Sequence, residues 1–454
     1  MDQVFDSQFQ AMKAAFAQDG IGIEIAYTPA GGPDYLYQTD RLLIDNRRVS
    51  IHEIQRVLPW TRPGSPREQP SVEFLTVLST APREGYAYLP VPEALDLLDR
   101  ELGHKYGGGD GDEKIAESGD YSPVTPVHVL HITQTGASDV GRLCAPVEPE
   151  VPCCCPPGRK GREDGEGNED RARDDCRPCP PPAGDNAGAG VLIGICDTGL
   201  LADIAHAPWL AGVTGQTDPL GPLLVGVPPI PDGLHAIPHY TGHGTFAAGM
   251  ARCQAPGADV YVSHGILTSG AVLETVIVDK LVEMLEHQPA PQVVNLSAGA
   301  YTRHDLQLLS FTAFNGGGIT LTAAAGNDAT HRKFWPAAFS WAIGVGALGA
   351  DHRDRAWFSN YGDWVNVYTV GEGLVNAYAT GLYTYQEPPK RPAQQIFDGL
   401  ARWCGTSFAA PLVAGLIAVQ MASANVTAAE ATATVLQQAV DQAIPGVGPV
   451  LYPR

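Results

Sequence analysis

Apolar and β-branched residues gather in short unbroken runs at 191–196, 258–262, 292–296, 318–323 and 341–346. Runs of that length without polar alternation predict strands buried on both faces. Among them, apolar positions recur at helical spacing over 271–287, 304–316 and 428–443, which predicts helices there. Strands alternating with helices give an α/β architecture, a mostly parallel sheet with helices on both faces. The first 135 residues read differently. Strand-like segments at 21–28, 41–45, 72–79 and 127–133 interleave with helical ones at 3–18, 49–58 and 91–101, predicting a smaller α+β unit of ferredoxin-like type. The Gly- and acid-rich stretch 104–124 predicts a mobile loop.

Residues 144–190 separate the two patterns with VPCCCPP, GRKGREDGEGNEDRARDD and CRPCPPPAGDNAGAG. They hold almost no apolar side chains to offset ordering entropy, so a flexible, protease-accessible linker is expected. The chain thus divides into an α+β domain at 1–135, a Cys-, Pro- and charge-rich linker at 136–189 and an α/β domain at 190–454. Five of the nine cysteines fall in the linker: Cys153, Cys154, Cys155, Cys176 and Cys179. Zinc ligation, disulfides and unliganded thiols all fit their spacing, although an odd total excludes complete pairing within one chain. Cys196 and Cys404 read as small buried hydrophobes.

With 454 residues, 44% hydrophobic and 17% charged, the composition is that of a globular protein. A formal net charge of −21 argues against nucleic acid as a partner, since phosphate binding draws on Lys and Arg. The N-terminal sequence is acidic where a secretory signal is basic, and the longest apolar stretch, 408–422, contains Pro411 and is too short to span a bilayer. A cytoplasmic protein without membrane attachment is the expectation. Asp351, Asp354 and Asp363 form only a scattered cluster, so neither calcium, another metal nor a cofactor is expected.

Four strings carry chemistry: Cys196-Asp197-Thr198-Gly199, Gly242-His243-Gly244-Thr245, Ala325-Gly326-Asn327 and Gly405-Thr406-Ser407-Phe408-Ala409-Ala410-Pro411. A Ser hydroxyl becomes nucleophilic when an imidazole takes its proton, and the imidazole needs a buried carboxylate on its other nitrogen. Asp197, His243 and Ser407 supply those groups, and the Asn327 amide suits a developing oxyanion. Singly, each has a plainer reading as a turn former or helix cap. The order Asp, His, Ser differs from that of α/β-hydrolases and chymotrypsin-like enzymes, and no G-x-S-x-G elbow surrounds Ser407. His235, His239 and His264 lie outside the strings and read as loop or core histidines.

Over residues 190–422 the chain resembles the subtilisin-like serine proteases, or subtilases, through DTG, GHGTFAAG, VVNLSAG (293–299), TAAAGN (322–327) and GTSFAAP. The resemblance implies a three-layer subtilisin-like domain. It also implies an endopeptidase acting on proteins or peptides, with Asp197, His243 and Ser407 as triad and Asn327 as oxyanion donor. Ser297, Ala298 and Gly299 would line the primary specificity pocket and pair with the substrate backbone. Residues 1–135 would correspond to a propeptide, an intramolecular inhibitor that keeps the precursor latent. Residues 131–143 would then lie in the cleft against Ser297–Gly299. The alternative is a catalytically silent or permanently autoinhibited chain whose N-terminal domain binds a partner. Only a Gly/Ala-rich stretch precedes the first catalytic strand, where subtilases usually have a helical segment. The small walls Ser297–Gly299 and Ala323–Gly326 lead us to expect a roomy slot for an apolar or aromatic side chain, with Arg332 and Lys333 close in sequence.

Overall fold

The computed structural model describes residues 3–86, 88–103, 121–132, 148–152, 185–221, 223–224, 233–314, 319–385 and 393–453. In chain order the N-terminal unit is α1 (Gln3–Gln18), β1 (Ile23–Tyr27), β2 (Pro33–Asp45), α2 (Ile51–Val57), β3 (Arg62–Pro63), β4 (Leu75–Ser79), α3 (Val91–Leu102) and β5 (Val124–His131). Its strands pair antiparallel in the order β5-β2-β4-β3, with β1 also on β2. Helix α2 starts from a reciprocal Ser50–Glu53 capping box. Helix α3 buries Ala94, Leu95, Leu98 and Leu102, one apolar stripe, against the sheet. Strand β2 is much longer than the expected 41–45. The polar run Gln38–Arg41 masks it in sequence, and its pairing with β5 shifts register between Tyr37 and Leu42.

The larger unit follows as β6 (Leu192–Asp197), β7 (Thr214–Gly215), β8 (Leu223–Leu224), β9 (Leu234–Ile237), α4 (His243–Gln254), β10 (Asp259–His264), β11 (Ala271–Leu273), α5 (Glu274–Leu285), β12 (Val293–Leu296), β13 (Leu321–Ala324), β14 (Ile343–Leu348), β15 (Val367–Val370), β16 (Leu374–Thr384), β17 (Gln394–Trp403), α6 (Thr406–Ala424) and α7 (Ala428–Asp441). Seven strands form one parallel sheet in the order β15-β14-β13-β12-β6-β10-β7. All five apolar runs lie in it. Apolar clusters lie on its two sides, one centred on α5 and the other on α4, α6 and α7, where Ala247, Ala251, Ala410 and Ala414 let helices approach closely. Helix α6 is long and apolar enough to cross a membrane, and 67% of its apolar window is buried as a core helix.

Two helical expectations need correction. The described part of the expected helix 304–316, up to Phe314, forms two 3₁₀ turns, Arg303–Asp305 and Ser310–Phe314, because His304 and Asp305 take left-handed φ values of 58° and 56° and Ser310 is tied to Glu274. In 271–287 the first three residues are β11, and the helix starts only at Glu274. A second sheet, β17-β16-β9-β8, had no counterpart among the expected strands.

Strand β5 joins the two units. One edge pairs with β2; the other pairs with β11, matching His131 to Ala271 and Leu130 to Val272. Beyond β11, His131 exchanges both backbone hydrogen bonds with Gly299, at 2.7 and 3.1 Å, and Ile132 N–H donates to Gly270 O at 2.8 Å. Buried Glu274 accepts from the His128 backbone N–H (2.7 Å) and from the Ser310 hydroxyl (2.8 Å), and lies 2.9 Å from His128 Nδ1. Arg303 pairs with Asp96 and Asp99 at 2.6 and 2.7 Å, and Arg332 with Asp34 at 2.5 Å. Of the stretch expected to be linker, 148–152 and 185–189 are described. Glu150 pairs with Arg402 of β17 through two backbone hydrogen bonds, and Glu148 is fully buried beside Tyr383. The remainder, with its five cysteines, and residues 104–120 lie outside the described residues.

Removing the Glu274 carboxylate orphans several buried donors. Glu274→Ala should therefore lower stability by roughly 2–4 kcal/mol and Glu274→Gln by less, read as shifts in urea midpoint. Equal midpoints for all three chains would contradict this.

Candidate active site

Asp197 ends β6 and His243 opens α4, so both stand at the carboxyl edge of the parallel sheet. Asp197 is fully buried. Its Oδ1 lies 2.8 Å from His243 Nδ1 and accepts the Thr198 backbone N–H at 2.7 Å. The ring of His243 is enclosed by Trp403, Phe408 and Tyr240, with centroids 5.3, 4.9 and 6.1 Å away. These rings exclude water and lower the local dielectric, which strengthens the contact with Asp197. His243 Nε2 is buried without a hydrogen-bond partner.

Ser407 is the second residue of α6, and Phe408, the next residue, packs on the His243 ring. The Ser407 hydroxyl donates to Ser297 O at 3.3 Å, and the Ser297 hydroxyl donates to Ser407 O at 2.7 Å. Pro411 explains the second bond. It has no N–H to give the carbonyl four residues back, which is that of Ser407, and Ser297 fills the gap. Ser297 is held in turn by Asn295 Nδ2 at 2.9 Å. Asn327 follows β13, and its Oδ1 accepts both the backbone N–H and the hydroxyl of Thr406 at 2.9 Å. The carbonyl end of this amide is thereby fixed one residue from Ser407. The four chemistry-bearing strings meet in one place.

The sequence reading missed the group that braces this arrangement. Helix α4 begins at Gly242 (φ 88°) with no side-chain cap of its own. Asp218, from the loop after β7, accepts the Gly242 N–H at 2.7 Å and the Thr198 hydroxyl at 2.7 Å. Thr198 Oγ1 accepts the Gly244 N–H at 3.1 Å. The amides on either side of His243 are thus tied to the end of the strand carrying Asp197. A carboxylate at a helix N-terminus also suits the helix dipole.

The model of the subtilase family matches residues 188–448. The chain belongs to the subtilase family. Among curated relatives it is 31% identical over 288 residues to the subtilisin-like protease PopC of Myxococcus xanthus, covering 56% of each chain. It is 30% identical over 190 residues to the thermophilic serine proteinase of Bacillus sp. strain AK1, covering 39% of this chain and 42% of that one. The chain spans about half the length of these relatives. Among solved structures, fervidolysin from Fervidobacterium pennivorans, a keratinolytic enzyme related to subtilisin, superposes with a TM-score of 0.52 at 17% identity, covering 92% of this chain and 60% of that one.

In this subtilase the remaining candidates occupy several different places. Ser297, Ala298 and Gly299 follow β12, and Gly299 is already paired with His131. His235 bonds Gly221 O, His239 the Tyr383 hydroxyl and His264 the carbonyl of Thr198. Cys196 is a buried free thiol, pushed up to about 12 by desolvation. Cys404 is disulfide-bonded, which corrects its reading as a simple buried hydrophobe. Asp351 accepts the backbone N–H groups of Arg353 and Asp354, at 3.0 and 3.1 Å, in its own exposed turn.

Burial first, with the nearby Asp197 charge adding to it, pushes the Asp218 carboxyl up to about 7. A raised carboxyl holds its proton more tightly in the folded chain. Its contribution to stability is full below the unfolded value near 4 and is lost as pH rises through about 7. Relative to Asp218→Asn, the natural chain should lose on the order of a few kcal/mol between pH 4 and 8. Urea midpoints of both chains at pH 5 and 8 check this, and parallel pH dependences would contradict it.

Proposed function

We propose that this subtilase is a serine endopeptidase that hydrolyses peptide bonds through an acyl-enzyme on Ser407. The observation that carries the proposal is the enclosed His243, with one ring nitrogen on Asp197, the other without a partner, and the ring packed on Phe408, the residue after Ser407 at a helix start. Rotation of the Ser407 hydroxyl away from Ser297 O toward His243 Nε2 completes the relay. Such bonds often form only when substrate is bound. The Ser407 oxygen attacks the carbonyl carbon as its proton passes to Nε2, and Asp197 holds Nδ1–H and stabilises the imidazolium. The carbonyl oxygen, now negative, receives hydrogen bonds from the Asn327 amide and the Ser407 N–H at the positive end of α6. His243 then protonates the leaving amine, and water, deprotonated by the same nitrogen, releases the acid.

Ser407→Ala or His243→Ala should lower kcat by about 10⁶-fold, and Asn327→Ala by about 10²–10³-fold. Undiminished turnover by Ser407→Ala, purified free of other proteases, would sink the proposal.

The proposed product is a latent precursor in which residues 1–135 inhibit the cleft. The support is the pairing of His131 with Gly299 on the edge assigned to substrate. Cutting between residues 135 and 190 makes that contact bimolecular, removing an effective concentration in the millimolar range. Limited proteolysis there should raise activity, and added 1–135 fragment should restore inhibition. The buried Glu274 and the Arg303 and Arg332 ion pairs favour a second reading, permanent autoinhibition. Activity unmoved by the cut would select it.

A further inference from the structure

The space between the two small-residue walls is filled by Phe334. A Cβ built on Gly299 would lie 2.4 Å from Phe334 Cε1, and one built on Gly326 (φ 96°) 3.2 Å from Phe334 Cδ1. One ring therefore touches the backbone of both walls, and it is only 1% exposed. Its place is fixed from either side. The neighbouring Trp335 exchanges backbone hydrogen bonds with Ala300 at 2.8 and 3.0 Å, and the Tyr301 ring packs on Phe334 with centroids 5.1 Å apart. The expected roomy slot is thus corrected. Arg332 is engaged with Asp34 and Asp305, and Lys333 lies over the Trp335 ring at 5.6 Å, so neither supplies charge to the slot.

The chain itself shows how a bound strand meets this ring. His131 lies opposite Gly299 in antiparallel register, so a substrate strand in the same register reaches Ser297 two residues further on. There Ser297 O receives the Ser407 hydroxyl. Side chains two apart on a strand share a face. The His131 ring meets the Phe334 ring edge-on, with centroids 6.0 Å apart. The residue whose carbonyl faces Ser407 therefore directs its side chain toward Phe334 as well.

We infer that Phe334 determines specificity at this site by closing the slot, so that the enzyme cuts after small residues such as Ala, Ser or Thr and rejects aromatic ones. The inference rests on the peptidase reading above. An aromatic side chain would have to occupy volume that the Phe334 ring already holds, and interiors at crystal-like density cannot yield that space cheaply.

The test uses the full-length chain, before and after limited proteolysis, with two fluorogenic peptides, Val-Leu-His-Ile-Ala and Val-Leu-His-Ile-Phe, each carrying an aminocoumarin on the last carboxyl. Their first four residues repeat 129–132. The natural chain should favour the Ala peptide in kcat/KM by at least roughly 10-fold, within the 10–200-fold that pocket size confers. Phe334→Ala should shift the ratio toward the Phe peptide by about 10-fold or more, and Phe334→Leu, a milder core change, should shift it less in the same direction. A natural chain that cuts the Phe peptide as well as the Ala peptide overturns the inference, as does an unchanged ratio in a folded Phe334 variant. Ser407→Ala separates the two claims. Cleavage that it abolishes, but with no size preference, defeats only the specificity inference; no cleavage by the natural chain under either condition defeats the peptidase reading and this inference with it.

Discussion

A carboxylate without access to water, set against an imidazole equally enclosed, is the constraint on which this structure turns. Asp197 and His243 are both buried, and their 2.8 Å contact survives only if the end of a strand and the start of a helix stay fixed relative to each other. Desolvating such groups costs several kcal/mol unless fixed donors replace water. The replacements are local and cheap: the Thr198 amide on Asp197, and the chain Gly244 N–H to Thr198 hydroxyl to Asp218 around His243. The sheet provides the rigid edge from which all of them project. Ser407 is placed by the same economy, since Pro411 leaves its carbonyl open and Ser297 both closes it and receives the Ser407 hydroxyl.

The N-terminal unit satisfies a second constraint. Strand β11 and the Gly299 backbone present unpaired edges to either side of a groove, and β5 enters that groove so that His131 pairs across both. Backbone pairing sets the register, while the buried Glu274 and the ion pairs of Arg303 and Arg332 set the angle at which the two units meet. Substrate would use the same backbone groups. Under the proposed function, inhibition and recognition would be competing uses of one edge.

Much of this was legible in sequence, and the exceptions have physical reasons. The five core strands were readable because both of their faces are buried, leaving unbroken apolar runs. Asp197, His243, Asn327 and Ser407 were readable as candidates that the fold brings together, because local turns and helix starts constrain the residues beside them. Asp218 was not: it lies 20 residues after Thr198 and 24 before Gly242, and nothing in its own loop reveals that it reaches both. Phe334 was hidden for a similar reason, since small walls suggest an empty slot until tertiary packing brings a ring between them. The hairpin β16–β17 mixes polar and aromatic positions around a register shift between Ala377 and Thr380, so neither period emerges. In 304–316 a helical apolar spacing was overridden by two left-handed residues and by the Glu274–Ser310 bonds.

The central claim is that Ser407 is a competent nucleophile, activated by His243 and covered by the N-terminal unit. A fluorophosphonate probe, which reacts only with an activated serine, tests it directly when the labelled residue is mapped by mass spectrometry. The account predicts labelling at Ser407 alone, faster after limited proteolysis than before and absent in His243→Ala. Labelling at another serine, or none at Ser407 in a folded chain whose N-terminal unit has been released, would contradict it.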